Sequence, residues 1–210
     1  MLKDCNACAR ACLAEGLEIV KLLQMFTEAQ LLKLRSLRRI KLGLTGCLAC
    51  GKTTALKNFE AQGWTTFSAD QMVAQIYKRQ GLTKEALIAR FGTTEAGLKR
   101  WEKWIHPLVK KEIQQELKKV KGPVVVEVPL LFEAQMQKLF DLVVVVAAPS
   151  EVRKKRALKR GMTAKLYRDL AKRQWSQAQK MEQADFVLFN LSKPALKQQV
   201  KALSSLLVGE

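Results

Sequence analysis

Two stretches of this chain, GPVVVEVPLLF at 122–132 and DLVVVVAAPS at 141–150, carry nearly unbroken valine runs, and they constrain the fold more than any other feature. A strand with one wet face alternates apolar and polar residues. A strand without alternation has both faces covered. Three shorter runs, IKLGLTG (40–46), WTTFSAD (64–70) and ADFVLFN (184–190), extend the set to five. The stretches 51–61, 70–79, 95–120, 150–160, 164–181 and 193–207 read as helices. Strands alternating with helices predict an α/β doubly wound fold, a parallel five-stranded sheet flanked by helices. Such sheets bind ligands beyond the carboxyl ends of their strands.

The first strand runs into LGLTGCLACGKTT (42–54), which satisfies G-x-x-x-x-G-K-[ST] at Gly46, Gly51, Lys52 and Thr53, with a helical pattern following. Glycines let the backbone curl so that successive N–H groups of Cys47, Leu48, Ala49 and Cys50 face one anion, and the helix start adds its positive dipole end. Gly46 to Thr54 are therefore expected to form a nucleotide phosphate cradle. Lys52 would reach the β- and γ-phosphates, and the Thr53 hydroxyl would ligate Mg²⁺. Cys47 and Cys50 also form C-x-x-C, whose thiols a helix N-terminus would acidify; the alternative is that they are plain loop residues. No guanine-reading N-K-x-D occurs, which argues against a GTPase.

The formal charge of +18 predicts attraction to anions, and residues 151–182 alone hold 11 basic and 3 acidic residues. Charge by itself does not separate phosphate ligands from nucleic-acid binding. No apolar run approaches the ~20 residues of a membrane span. Five cysteines, an odd number, without a secretory pattern at the start, point to a reducing compartment and a cytoplasmic protein. Cys5, Cys8 and Cys12 have metal-like spacings but are three thiols where zinc takes four ligands, so they read as free. Residues 1–39 look like an addition. A capping box, Thr27 to Gln30, opens a basic amphipathic helix over roughly 28–38 that suits either packing on the domain or contact with a partner or membrane surface.

From residue 40 to about 200 the chain resembles the dephospho-coenzyme A kinase family. LGLTGCLACGKTT, FSAD, WIHPLV, VEVPLLFE, VVVVAAPSE, RALKR, RQWSQAQK and ADFVLFN occur in that family's order, and P-L-L-F-E after a valine strand with His-Pro upstream is its most specific part. The resemblance implies a P-loop NTPase fold like adenylate kinase, with a helical acceptor-binding insertion and a helical lid. It implies ATP and Mg²⁺ as cofactors and transfer of the γ-phosphate to the ribose 3′-hydroxyl of dephospho-coenzyme A. The divisions expected are an extension at 1–39, a core of 40–75, 121–150 and 184–210, an acceptor insertion at 76–120 and a basic lid at 151–183.

Site residues follow from the same matches. Asp70 corresponds to the catalytic aspartate, a carboxylate able to accept the 3′-hydroxyl proton; as plain structure it would be a helix N-cap. Arg156 and Arg160 correspond to lid arginines on the ATP phosphates, with Arg153, Lys154 and Lys155 solvated beside them. Thr45, His106 and Glu133 fall on the acceptor side, His106-Pro107 standing before a long helix, and Glu127 would hold Mg²⁺ through water. The chain departs from the family pattern at several places. Ser68 replaces the first acid of D-x-D, Glu127 replaces an Asp, the loop interior is Cys-Leu-Ala-Cys, and the insertion between ARFG and WIHP is short. These departures, with the charge, motivate the alternative of a nucleic-acid or anionic-surface binding module on a kinase fold, or a kinase for another nucleotide-like acceptor. The first reading involves no nucleic acid.

Overall fold

The computed structural model describes residues 39–92 and 94–208. The expectations for the helix at 28–38 and for Cys5, Cys8 and Cys12 lie outside the described residues.

The chain begins with β1 (Lys41–Thr45), the glycine loop and α1 (Lys52–Glu60), then β2 (Thr65–Ser68) and α2 (Ala69–Arg79). Two helices follow, α3 (Lys84–Phe91) and α4 (Glu95–Lys119), before β3 (Val124–Glu127). A winding segment with one 3₁₀ turn at Gln137–Leu139 leads to β4 (Leu142–Ala147). Then come α5 (Ser150–Lys159), α6 (Ala164–Lys172), α7 (Gln177–Glu182), β5 (Phe186–Phe189) and α8 (Lys193–Val208). All neighbouring strands pair in parallel, in the order β2-β3-β1-β4-β5, so the expected five-stranded parallel sheet is present.

The valine runs have the predicted cause. Successive side chains of a strand point to opposite faces. In β4, Val144 and Val146 enter one core with Leu56, Phe59 and Leu203, while Val143 and Val145 enter the other with Ile76, Ile105 and Ile113. The first core sits under α1 and α8, where the indole N–H of Trp64 donates to Ser204 Oγ at 2.6 Å. The second sits under α2 and α4. Ile105, Val109, Ile113 and Leu117 recur every four residues of α4 and are buried, each worth about 1.5–3 kcal/mol.

Four local readings change. The helix expected over 164–181 is two helices, because Ser176 starts a new one with a full capping box: Ser176 Oγ accepts Gln179 N–H at 3.2 Å and Gln179 Oε1 accepts Ser176 N–H at 2.9 Å. Helix α3 went unread; its cap is Thr83, whose Oγ1 accepts Ala86 N–H at 3.2 Å. The helix expected over 95–120 is present as α4, capped by Thr94, so His106-Pro107 lies inside it and not before it. Pro107 has no N–H for the Lys103 carbonyl, so the helix tolerates one lost bond there. The expected run at 122–132 stops pairing at Glu127, and 128–136 turns back across the sheet end.

Candidate active site

The glycine loop joins β1, the central strand, to α1. Two of its backbone positions require glycine. Gly46 has φ 149°, and a Cβ there would lie 2.4 Å from the Val146 carbonyl oxygen. Gly51 has φ 103°, and a Cβ would lie 1.9 Å from Asn190 Nδ2. That amide donates to the Cys50 carbonyl at 2.8 Å, so the residue after β5 ties down the loop. The Lys52 ammonium, also buried, donates to the carbonyls of Gly46 at 3.1 Å and Cys47 at 3.3 Å, spanning the loop from inside. Ala49 takes φ 60° at the loop's tip. Gln174, reaching in from beyond α6, accepts the Leu48 N–H on Oε1 at 2.8 Å.

The thiols of Cys47 and Cys50 are buried and free. Burial pushes both up, against the pull of Arg153, Lys180 and Lys52 on Cys47 and chiefly of Lys52 on Cys50. That direction is opposite to the acidification expected of a C-x-x-C at a helix start, and its cause is burial. Cys47 Sγ donates to the Trp175 carbonyl at 3.7 Å.

Three strand ends bring the acidic groups together. Glu127 closes β3, in register with Leu44 of β1 and Ser68 of β2. It is buried, and the Thr53 hydroxyl donates to its Oε2 at 3.4 Å. Burial raises the Glu127 carboxyl above the ordinary carboxylate range; Lys52 pulls it down and Asp70 pushes it up further. Asp70 is exposed in the first turn of α2. Ser68 is the N-cap of that helix, so Asp70 is not the cap that a purely structural reading makes it.

A cavity of about 260 Å³ opens beside these groups. Leu48 of the loop, Asp70 of α2, His106 of α4, Pro129 after β3 and Arg173 after α6 all line it. The half-buried His106 is pulled below the usual histidine range by burial, with Glu102 and Glu133 opposing. Thr45 and Glu133, expected on the acceptor side, do not line it. Thr45 is wholly buried and donates to the Pro129 carbonyl at 3.3 Å. Glu133 accepts the Trp175 N–H at 2.7 Å and pairs with Lys180 at 3.0 Å. Lys180 has no exposed surface and also donates to the Pro129 carbonyl at 2.9 Å. Both expected residues thus shape the turn at 129–133, which lines the cavity in their place.

Arg156 is half-buried on α5 and donates to the carbonyls of Cys50 at 3.4 Å and Asn190 at 3.3 Å. Arg160 is exposed at the C-cap of the same helix. Arg153, expected to be solvated, is half-buried and donates to the Ala148 carbonyl at 3.1 Å. Sequence reasoning did not single out Arg153, Gln174, Lys180 or Asn190. The last three lie within RQWSQAQK and ADFVLFN, so the signal was those segments' match to the family pattern rather than any residue's chemistry. Among the described residues no group of three or more His, Cys, Asp or Glu could hold a metal alone, and no helix is long and apolar enough to cross a membrane.

Residues 82–195 match the family model described as dephospho-CoA kinase. A dephospho-CoA kinase of Zymomonas mobilis is 34% identical over 193 residues, covering 81% of this chain and 98% of the relative. A crystal structure from Thermus thermophilus superposes with a TM-score of 0.72 at 25% identity, covering 82% of this chain and 100% of that one. Shikimate kinase from Acinetobacter baumannii, at 16% identity and a TM-score of 0.57 over 82% of this chain and 96% of that one, shares the fold.

Proposed function

Because the chain belongs to the dephospho-CoA kinase family and phosphorylates dephospho-coenzyme A from ATP, we propose the following division of labour among its residues. Gly46 to Thr54 hold the ATP phosphates on backbone N–H groups. Lys52 leaves its contacts with the Gly46 and Cys47 carbonyls, or shares them, to neutralise the β/γ-phosphates. Arg156 and Arg160 approach from 151–183, which acts as a lid, and Arg156 already points at the loop's end. Residues 76–120 bind the acceptor against the cavity.

Thr53 and Glu127 fit Mg²⁺. They offer hard oxygen donors 3.4 Å apart, and a buried carboxylate that Asp70 also repels gains from a nearby cation. One or two protein oxygens suffice, since Mg²⁺ takes its remaining ligands from phosphates and water. When bound, the ion screens charge on the transferring phosphates.

Asp70 orients the acceptor's 3′-hydroxyl and accepts its proton. Its place on the rim of a cavity that also touches the loop at Leu48 is the observation that carries the reading. Asp70→Asn tests it. Ser68, not Asp70, is the cap, so the change costs only the dipole contribution of an exposed first-turn carboxylate, about 0.3–1 kcal/mol. Turnover should fall by a factor on the order of 10²–10⁴ while binding of a non-hydrolysable ATP analogue is kept. Near wild-type single-turnover phosphorylation would remove the assignment.

A further inference from the structure

The acceptor brings a demand that Asp70 and the glycine loop do not meet. Dephospho-coenzyme A carries a diphosphate on the 5′ carbon of the ribose whose 3′ oxygen is phosphorylated. With the 3′-hydroxyl at Asp70, that diphosphate lies in or at the mouth of the same cavity. Lys52 and Arg156 face the loop and are committed to ATP. The rest of the lining is mostly apolar, including Val73, Ile105, Val109 and Leu130. An anion placed there without a cation would be poorly solvated.

Arg173 is the one arginine or lysine among the described residues that line the cavity. It caps the C-terminal end of α6, and its Nη2 contacts Glu102 Oε1 of α4, with the two side chains one-third and one-quarter exposed. Glu102 stands one turn before His106, so the pair bridges the two walls of the cavity. A guanidinium has five N–H donors in a planar fork. One contact to Glu102 fixes its direction and leaves donors for a phosphate. The next residue, Gln174, holds the Leu48 N–H, and Trp175 donates to Glu133, so Arg173 sits on a segment anchored to both loop and turn.

We propose that Arg173 is a specificity-determining residue that binds the acceptor's diphosphate, held toward the cavity by Glu102. The proposal rests on the reading of this cavity as the acceptor site. Glu102 both aims the guanidinium and offsets its charge. Arg173 thereby separates dephospho-coenzyme A from acceptors that present the same ribose without a diphosphate.

The test is steady-state ADP release at saturating Mg-ATP, with dephospho-coenzyme A and with adenosine as acceptors. Arg173→Met should raise the KM for dephospho-coenzyme A roughly 10- to 100-fold, the worth of a charge-assisted hydrogen bond. It should leave kcat/KM for adenosine and the KM for ATP unchanged. Arg173→Lys should restore part of the loss as a point charge. Glu102→Gln keeps an acceptor oxygen for Nη2 but removes the negative charge, so it should lower the KM for dephospho-coenzyme A and have no effect in the Arg173→Met background. An unchanged dephospho-coenzyme A KM in Arg173→Met, an equal loss with adenosine, or a raised KM in Glu102→Gln would each overturn the proposal. Asp70→Asn is the separate control. If it keeps full turnover, the acceptor-site reading fails; if turnover collapses as expected, the Arg173 variants judge Arg173 alone.

Discussion

Removing Glu133 should damage this protein more than removing Lys180, although each breaks the same ion pair. The Lys180 ammonium has no exposed surface. Its partners are Glu133, at 3.0 and 3.2 Å to the two carboxylate oxygens, and the Pro129 carbonyl at 2.9 Å. Glu133→Ala leaves a buried cation with one neutral acceptor. An uncompensated buried charge of this kind costs about 3–5 kcal/mol. At roughly 2–4 °C per kcal/mol for a chain of this size, Tm should fall by about 6–20 °C. Lys180→Met removes the charge that had to be desolvated and keeps the volume. It leaves a carboxylate with some solvent contact, 13% of its side chain exposed, that still accepts the Trp175 N–H at 2.7 Å. Its cost should be less than half that of Glu133→Ala. Calorimetric melting at neutral pH measures both. The turn at 129–133 lines the cavity through Pro129 and Leu130, so the same variants should raise the KM for dephospho-coenzyme A more than that for ATP. If Lys180→Met melts as low as Glu133→Ala, or neither moves Tm, the reasoning about this turn is wrong.

Arg156→Ala should lower kcat by a factor on the order of 10²–10³, the usual worth of one donor to developing charge. Arg160→Ala, at an exposed helix end, should leave Tm unchanged; kinetics and melting of the two side by side check this. Gly51→Ala forces an L residue to φ 103° and drives its Cβ into the Asn190 amide, so it should cost about 1–3 kcal/mol in chemical denaturation and weaken ATP-analogue binding. Glu127→Gln should stabilise the ligand-free protein while impairing Mg-ATP turnover. The folded-state pKa of Glu127 is raised by burial, so ionising it opposes folding as pH climbs above the ordinary carboxylate value. The stabilisation should therefore be seen by Tm at neutral pH and vanish in acid, where both forms are neutral.

Much of the fold was legible because its signals are local. Unalternated valines between turn signals point to strands covered on both sides, and Gly46, Gly51, Lys52 and Thr53 needed only their spacing and the strand and helix on either side. The misreadings also had local causes. The break at Ser176 and the cap at Thr83 were written as S-x-x-Q and a threonine before a helical stretch, signals that the reading of 164–181 as one helix passed over in the first case and that went unused in the second. Arg153 was misplaced because a basic run looks solvated throughout, and only the turn of α5 against Ala148 decides which member faces inward. Gln174, Lys180 and Asn190 were beyond reach by chemistry alone. Their partners, Leu48, Glu133 and Cys50, lie 126, 47 and 140 positions away in sequence, and no spacing rule spans such gaps.

The departures from the family pattern also make more sense together than singly. Ser68 and Glu127 are direct partners across β2 and β3. A third carboxylate at 68, beside Glu127 and near Asp70, would add repulsion to a group that burial already raises. With serine there, the longer glutamate can sit buried at the strand end and still reach the Thr53 hydroxyl at 3.4 Å. Against the pattern that the resemblance implies, the acid lost at 68 and the methylene gained at 127 offset one another at a single point of the sheet. What remains is one carboxylate beside Thr53, on the side proposed for the divalent cation, and one on the cavity rim, proposed to take the acceptor's proton.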